Sequence, residues 1–190
     1  MQQLLSQIET CSVCKKFLPH GPRPVVQASS QSRILLIGQA PGRRVHESGI
    51  PWDDPSGDRL RSWLQVNKDT FYNPDYFALI PMGFCYPGTG KNGDLPPRPE
   101  CAPLWHDALL QAMPHIEMTI LIGLYAQKYY LKDKGYKTLT DNVRHLDEFL
   151  PNYWPVPHPS PRNIAWYKRN PWFEQDLLPA LGHRVQEILA

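Results

Sequence analysis

Four short apolar runs alternate along the chain with segments whose apolar residues recur at helical spacing. The apolar runs predict strands at residues 33–38, 76–80, 118–122 and 153–156. The periodic segments predict helices at residues 2–9, 58–66, 100–112, 125–131 and 172–189. Strands that alternate with helices indicate a parallel sheet with helices on both faces. The chain is therefore predicted to form an α/β fold, a three-layer α/β/α sandwich around a central four-stranded parallel sheet.

The composition is that of a single globular domain. The chain has 190 residues, of which 42% are hydrophobic, and we expect residues 1–190 to form one domain. No apolar run is long enough to span a membrane, and the N-terminal residues lack the apolar core of a secretory signal. We therefore expect a cytoplasmic protein with no membrane partner. The net charge of +2 permits a nucleic-acid partner without indicating one.

Two loops at the predicted strand ends carry the candidate chemistry. The first strand runs into residues 38–42, GQAPG, a turn whose backbone N–H groups can hold an anion or a developing negative charge. Trp52 follows and offers a flat face to a planar ligand. The fourth strand leads into residues 158–161, HPSP. Because parallel strands end at the same edge of a sheet, we expect His158 to face the turn.

In their order and spacing these motifs resemble the uracil-DNA glycosylase superfamily. That family has a G-[QEMI]-x-P-[GY] turn after the first strand, an aromatic stacking residue on the next loop and an H-P-S-P-type loop after the last strand. Residues 49–57, GIPWDDPSG, are similar to its G-x-P-F-x-x-x-x-G loop. The resemblance extends from about residue 10 to residue 170 and implies a glycosylase-like fold.

The resemblance implies a base pocket. Trp52 would stack on a base flipped out of the duplex, and Gly38, Pro41 and Met82 would complete the pocket. The family often recognises uracil with an Asn at the end of the second strand, where this chain has residues 80–83, IPMG. Either backbone groups of residues 81–84 replace that side chain, or the substrate is another damaged base.

The resemblance also implies catalytic residues. His158 and the backbone N–H groups of Gln39 and Ala40 would stabilise the negative charge on the leaving base. Relatives carry an acidic residue in this turn, which Gln39 and Ala40 do not supply. Three acidic residues lie nearby in the sequence: Glu47, Asp53 and Asp54. We name Asp53 as a catalytic candidate, although a turn or a helix cap explains these side chains equally well.

Basic and loop residues are predicted to contact DNA. Ser160, Pro161 and Arg162 occupy the place of the family's wedge into the duplex, where an Arg can fill the gap left by the base or contact a phosphate. Arg43 and Arg44 would add to a basic rim, although solvated charges are the simpler interpretation. His46, in the same unusual basic segment, has the alternatives of a base, a phosphate contact or a surface histidine.

Four cysteines form the remaining pattern: Cys11, Cys14, Cys85 and Cys101. Four thiolates can close a tetrahedral zinc site or hold an iron–sulfur cluster, and disulfides are rare in the cytoplasm. The spacing C-x2-C, a long gap and C-x15-C resembles the iron–sulfur, family 4-like branch of the superfamily. That resemblance implies a structural 4Fe–4S cluster, with zinc as the alternative and a metal-free protein as a further one.

Together these features predict a monomeric DNA glycosylase that acts in base excision repair. It would hydrolyse the N-glycosidic bond of uracil or a related deaminated base, and its partner would be DNA containing a damaged base. One alternative is a non-catalytic binder of damaged or single-stranded DNA on the same fold. Another is a hydrolase of small nucleosides or nucleotides.

Overall fold

A computed structural model describes residues 1–91 and 93–190. Its parallel strands follow the four predicted apolar runs closely. In chain order the helices and strands are α1 (Gln2–Glu9), β1 (Ile34–Gly38), α2 (Arg43–Ser48), α3 (Pro55–Leu64), α4 (Lys68–Phe71), β2 (Phe77–Pro81), β3 (Thr89–Gly90), β4 (Gly93–Asp94), α5 (Cys101–Gln111), β5 (Met118–Ile122), α6 (Leu124–Leu131), α7 (Leu139–Arg144), β6 (Tyr153–Val156), α8 (Ile164–Arg169) and α9 (Leu178–Leu189).

The main sheet has the strand order β2-β1-β5-β6, and all its neighbouring strands are parallel. This arrangement confirms the predicted α/β fold with a central four-stranded parallel sheet. The strand order changes direction between β1 and β5, and ligands of open α/β sheets bind beyond the carboxyl ends of the strands at such a point. The loops after β1, β2 and β6 therefore meet at the edge where chemistry is expected.

Alternate residues of β1 pack into two different cores. Ile34 and Leu36 face a core with residues of α3 and α9, including Leu60 and Val185. The intervening residues of β1 face a second core, which contains residues of α1, α5 and α6. Each core excludes water from one face of the sheet, and together they form the three layers.

Several short elements lie in segments where no regular structure was predicted. The four-residue helix α4 and the six-residue helices α2, α7 and α8 are too short for a hydrophobic period to show. Side chains cap two of them: Asn67 accepts the Thr70 N–H, and Thr138 accepts the Asp141 N–H. The predicted last helix is divided into a π-helical turn, Phe173–Leu177, and α9. Within the described ranges, no helix combines the length and apolar character needed to cross a membrane.

Candidate active site

A pocket of about 450 Å³ opens at the carboxyl edge of the sheet. The GQAPG turn after β1, the loop before α3, the β3–β4 hairpin and the loop after β6 all contribute to its walls. Its lining joins sequence segments more than a hundred residues apart. The lining includes Gly38, Gln39, Ala40, Pro41, Gly42, Trp52, Asp54, Asp94, His158, Ser160, Arg162 and Asn163.

Trp52 is held in a strained and closely packed position. Its backbone is in the left-handed region, with φ of 58°, which a bulky residue rarely adopts. Two glycines allow the approach: a Cβ on Gly38 would lie 2.8 Å from the indole Cζ2, and a Cβ on Gly57 would collide with the Trp52 carbonyl oxygen. Arg61 also donates a hydrogen bond to that oxygen, at 3.3 Å. The ring is thereby fixed at the end of β1.

His158 lies beside Trp52 and is oriented by its own loop. The two ring centroids are 5.6 Å apart with a tilt of 35°. The Ser160 N–H donates to His158 Nδ1 at 3.2 Å, so Nε2 carries the proton of the neutral ring. Asn163 and the Tyr167 hydroxyl both donate to the His158 carbonyl, at 2.8 and 2.7 Å. The loop therefore presents a single ring donor.

Burial lowers the pKa of His158 to about 4, and the negative charge of Asp94 opposes this shift only in part. The imidazole is consequently neutral at physiological pH. A neutral, oriented donor can stabilise a negative charge without first losing or gaining a proton. Such a donor could stabilise the leaving group of a glycosidic bond, because that group departs with an electron pair and becomes negatively charged.

The GQAPG turn is tied to the loop after β2. The Met82 N–H donates to the Gly38 carbonyl at 2.9 Å, and the Gly83 N–H donates to the Gln39 carbonyl at 3.0 Å. The Met82 side chain points away from these bonds into the second core. The structure thus uses Met82 as a backbone partner of the turn, while neighbouring Pro81 lines the pocket.

The remaining predicted site residues lie at different depths. Ser160 and Arg162 line the pocket, and Pro161 between them is exposed. Arg43 and Arg44 are exposed on α2, which begins directly after the turn. The half-buried Asp53 does not line the pocket.

Asp54, next to Asp53, caps α3 by accepting the Gly57 N–H at 2.8 Å, as the helix-cap interpretation of this segment predicts.

Sequence reasoning missed Asp94, Asn163 and Tyr167. Asp94 belongs to the β3–β4 hairpin, in a stretch where no strand was predicted from the sequence. The dipeptide Asn92-Gly93 is a hairpin signal in the sequence and would have indicated a turn there. Asn92 itself is outside the described residues. The other two act through hydrogen bonds to a backbone carbonyl, for which no sequence pattern exists.

The four cysteines come from three separate segments to one flank of the domain. Cys14, Cys85 and Cys101 are buried, Cys11 is half-buried, and all four are free thiols. Burial raises the pKa of Cys85 to about 11. Burial, with a smaller effect from the charges of the other three thiols, raises the pKa of Cys101 to about 12. The thiols are therefore close enough to interact electrostatically.

Charged and aromatic side chains surround this group of thiols. The Cys14 thiol lies 3.6 Å from Glu100, which is paired with Arg98 at 2.5 Å, and the Arg98 guanidinium lies 4.1 Å from the centre of the Phe17 ring. In the part of the chain that the structure describes, no three Cys, His, Asp or Glu side chains form a group placed to hold a metal ion.

The chain matches a protein-family model. The model of the uracil DNA glycosylase superfamily matches residues 25–182, a segment that contains the whole main sheet and the pocket. The match supports a DNA glycosylase-like function in general. It covers most of the chain, and the chain belongs to the uracil DNA glycosylase superfamily.

Proposed function

We propose that the protein is a DNA glycosylase that hydrolyses the N-glycosidic bond of uracil or a related deaminated base in DNA. The observation that carries this proposal is the pairing of Trp52 with a neutral, oriented His158 in one pocket at the strand ends. An aromatic face binds a flat base, and a ring N–H stabilises the charge that the base acquires as it leaves.

Base binding follows from the shape of the pocket. A base in a duplex is stacked on both sides, so an enzyme must rotate it out to reach its glycosidic bond. A pocket of about 450 Å³ is in the ordinary range for a small ligand. In this proposal the flipped base stacks on Trp52, whose position is fixed by the close packing at Gly38 and Gly57.

Bond cleavage depends on the leaving group. The electron pair of the glycosidic bond departs with the base, and the sugar becomes oxocarbenium-like. His158 Nε2–H donates to the carbonyl oxygen on which the negative charge develops, and the turn at Gln39 and Ala40 supplies backbone N–H groups. One such preorganised donor contributes about 10²–10³-fold to the rate in comparable enzymes.

The surroundings of the pocket suit a DNA backbone. Arg162 reaches the pocket mouth and packs against Gly93, where a Cβ would lie too close to its Nη1. With the exposed Arg43 and Arg44 it supplies positive charge near the site. In the proposed complex Arg162 fills the gap left in the duplex, and the other two contact phosphates.

We further propose that Cys11, Cys14, Cys85 and Cys101 hold a 4Fe–4S cluster, as in the iron–sulfur branch of the superfamily, with zinc as the alternative. The chemistry of the donor set supports this proposal, because four thiols lie on one flank and three of them are buried. Binding would draw them into a metal-binding group that the described side chains do not form by themselves. The cluster would supply four metal–sulfur bonds that link the N-terminal segment to residues 85–101. Metal and sulfide analysis of protein purified without oxygen distinguishes the two cofactors.

The test of the activity is base release from end-labelled oligonucleotides. Single- and double-stranded substrates would carry uracil, hypoxanthine, xanthine or a thymine mismatch, and alkali would reveal abasic sites. We expect release of at least one deaminated base, with uracil first. Affinity for uracil-containing or abasic DNA without release of a base would instead favour the non-catalytic binder. The observation that supports this alternative is that Ala40 has no carboxylate. Cleavage of free nucleosides alone would indicate a small-molecule hydrolase.

A further inference from the structure

The turn after β1 lacks a carboxylate that could act on water. Ala40 ends in a methyl group, and Asp53 lies outside the pocket lining. Two carboxylates of the described residues do line the pocket, Asp54 and Asp94. Asp54 already accepts the Gly57 N–H at 2.8 Å as the cap of α3. Because this bond commits the carboxylate to the end of the helix, Asp54 is the less available of the two to act on water.

One carboxylate oxygen of Asp94 has a fixed partner. The Asp94 backbone pairs with that of Thr89 across the β3–β4 hairpin. The Tyr86 hydroxyl, which lies 2.5 Å from the Thr89 hydroxyl, makes a long hydrogen bond of 3.4 Å to Asp94 Oδ1. Tyr86 itself is fully buried and stacks on His20, with ring centroids 5.3 Å apart. A rigid aromatic side chain thus limits the positions that this carboxylate can occupy.

The other oxygen of Asp94 faces the reacting region. A Cβ on Gly42 would lie 3.5 Å from Oδ2, so this oxygen sits against the end of the GQAPG turn. Asp94 is exposed at the pocket wall, where water has access. Among the described residues, it is the one carboxylate whose charge acts on His158. The carboxylate and the proposed leaving-group donor therefore share one small space.

We propose that Asp94 is the catalytic carboxylate that positions and deprotonates the attacking water. This inference rests on the glycosylase activity proposed above. As the bond between C1′ and the base nitrogen breaks, its electron pair leaves with the base. The water oxygen forms the new bond to C1′, and the water proton passes to Asp94 Oδ2 and then to solvent. The released base anion takes a proton from solvent. The Asp94 charge also stabilises the positive sugar.

The test compares Asp94→Asn with the wild-type protein in single-turnover base release from a uracil oligonucleotide. Asparagine keeps the shape and an oxygen for Tyr86 but is not a base. The matched control is Asp133→Asn, which makes the same change at an exposed aspartate of the 3₁₀ turn after α6, a residue that does not line the pocket. Binding of each variant is measured with 2′-fluorinated deoxyuridine DNA, which resists cleavage. Asp94→Ala is assayed with and without added formate.

We expect Asp94→Asn to slow release by about 10²-fold or more with unchanged binding, and formate to restore part of the Asp94→Ala rate. Asp133→Asn should release base at the wild-type rate. If the wild-type protein releases base and Asp94→Asn retains its rate to within about threefold, the assignment of Asp94 is wrong while the glycosylase activity stands. If the wild-type protein binds DNA but releases no base, the proposed function fails, and the role of Asp94 fails with it.

Discussion

The pocket and the neighbouring group of four cysteines are stabilised by different kinds of contact. In the pocket, Trp52 and His158 are fixed by backbone and side-chain groups of the same chain. In the cysteine group the contacts are few: Cys14 makes a long hydrogen bond to Glu100, at 3.6 Å, and backbone N–H groups of Arg23 and Phe84 lie against Cys85 and Cys101. The difference teaches that the pocket is preorganised by the fold, whereas the thiols would gain their strongest partners from the metal cluster proposed above.

One segment connects the two regions. Residues 85–101 begin and end at a cysteine and carry the β3–β4 hairpin, with Asp94, between them. Cross-linking the two ends of such a loop restricts the conformations of everything within it. A cluster on the cysteines would therefore act on the pocket from a distance, by holding the hairpin against the GQAPG turn.

The largest effect is expected when the pocket loses its donor. His158→Ala removes the one ring N–H at the leaving group, so single-turnover base release should fall about 10²–10³-fold. The melting temperature should change little, because the His158 carbonyl keeps its two hydrogen bonds. His183→Ala, at an exposed histidine of α9, is the control and should be fully active. Wild-type activity in His158→Ala would remove the basis for the proposed mechanism.

The next largest effect is expected at Gly57, whose close packing against Trp52 holds one wall of the pocket in place. Gly57→Ala places a Cβ against the Trp52 carbonyl oxygen, with no room for it. We expect a loss of about 3 kcal/mol in the free energy of unfolding, together with slower base release, because α3 and Trp52 must move apart. Denaturant unfolding monitored by tryptophan fluorescence measures the first quantity. Ser62→Ala, at an exposed position of α3, should change stability by less than about 0.5 kcal/mol.

The cysteine group is tested by Cys101→Ser. We expect loss of bound iron and of its visible absorption, a lower melting temperature and slower base release, because the hairpin that carries Asp94 loses one anchor. Ser12→Ala, at an exposed residue between Cys11 and Cys14, should keep the metal and the activity. Full activity of a metal-free Cys101→Ser protein would show that the two regions are independent.

A smaller effect is expected at the pocket mouth. Arg162→Ala should weaken binding of uracil-containing DNA about tenfold and reduce the salt dependence of binding by about one counterion, because one positive contact is lost. Fluorescence anisotropy over a series of salt concentrations gives both values. Arg184→Ala on α9, outside the pocket lining, should bind DNA like the wild type.

The smallest effect concerns pH. Burial lowers the pKa of His106 to about 4, from an ordinary value of 6.5. Between these values the unfolded chain binds a proton that the folded chain does not, so stability falls as the pH falls from 6.5 towards 4. At about pH 5.5 the loss should be on the order of 1 kcal/mol. Thermal unfolding at several pH values measures it. His106→Gln should remove this share of the pH dependence and leave the similar share of His158, whose pKa is also lowered to about 4.

The sequence predicted the structure best where neighbouring residues alone determine the local conformation. The apolar run before Gly38 and the turn after it follow from strand burial and Gly/Pro chemistry, and both were found. The contribution of Asp94 was not found, because the dipeptide Asn92-Gly93 signals a turn but nothing local places that turn beside the pocket. A Cβ on Gly88 would lie 2.8 Å from the Pro19 ring, so a segment some seventy residues away shapes the hairpin. Short helices such as α4 depend on one cap and on tertiary packing, neither of which produces a periodic pattern.

The most direct test of the account is mass-spectrometric detection of free base from a single-stranded uracil oligonucleotide, with metal-replete wild-type protein and His158→Ala in parallel. The account expects free uracil and an abasic strand from the wild type, and about 10²-fold less of both from the variant over the same time. Intact uracil DNA after prolonged incubation with folded, metal-replete wild-type protein would contradict the claim that this pocket cleaves the glycosidic bond of uracil.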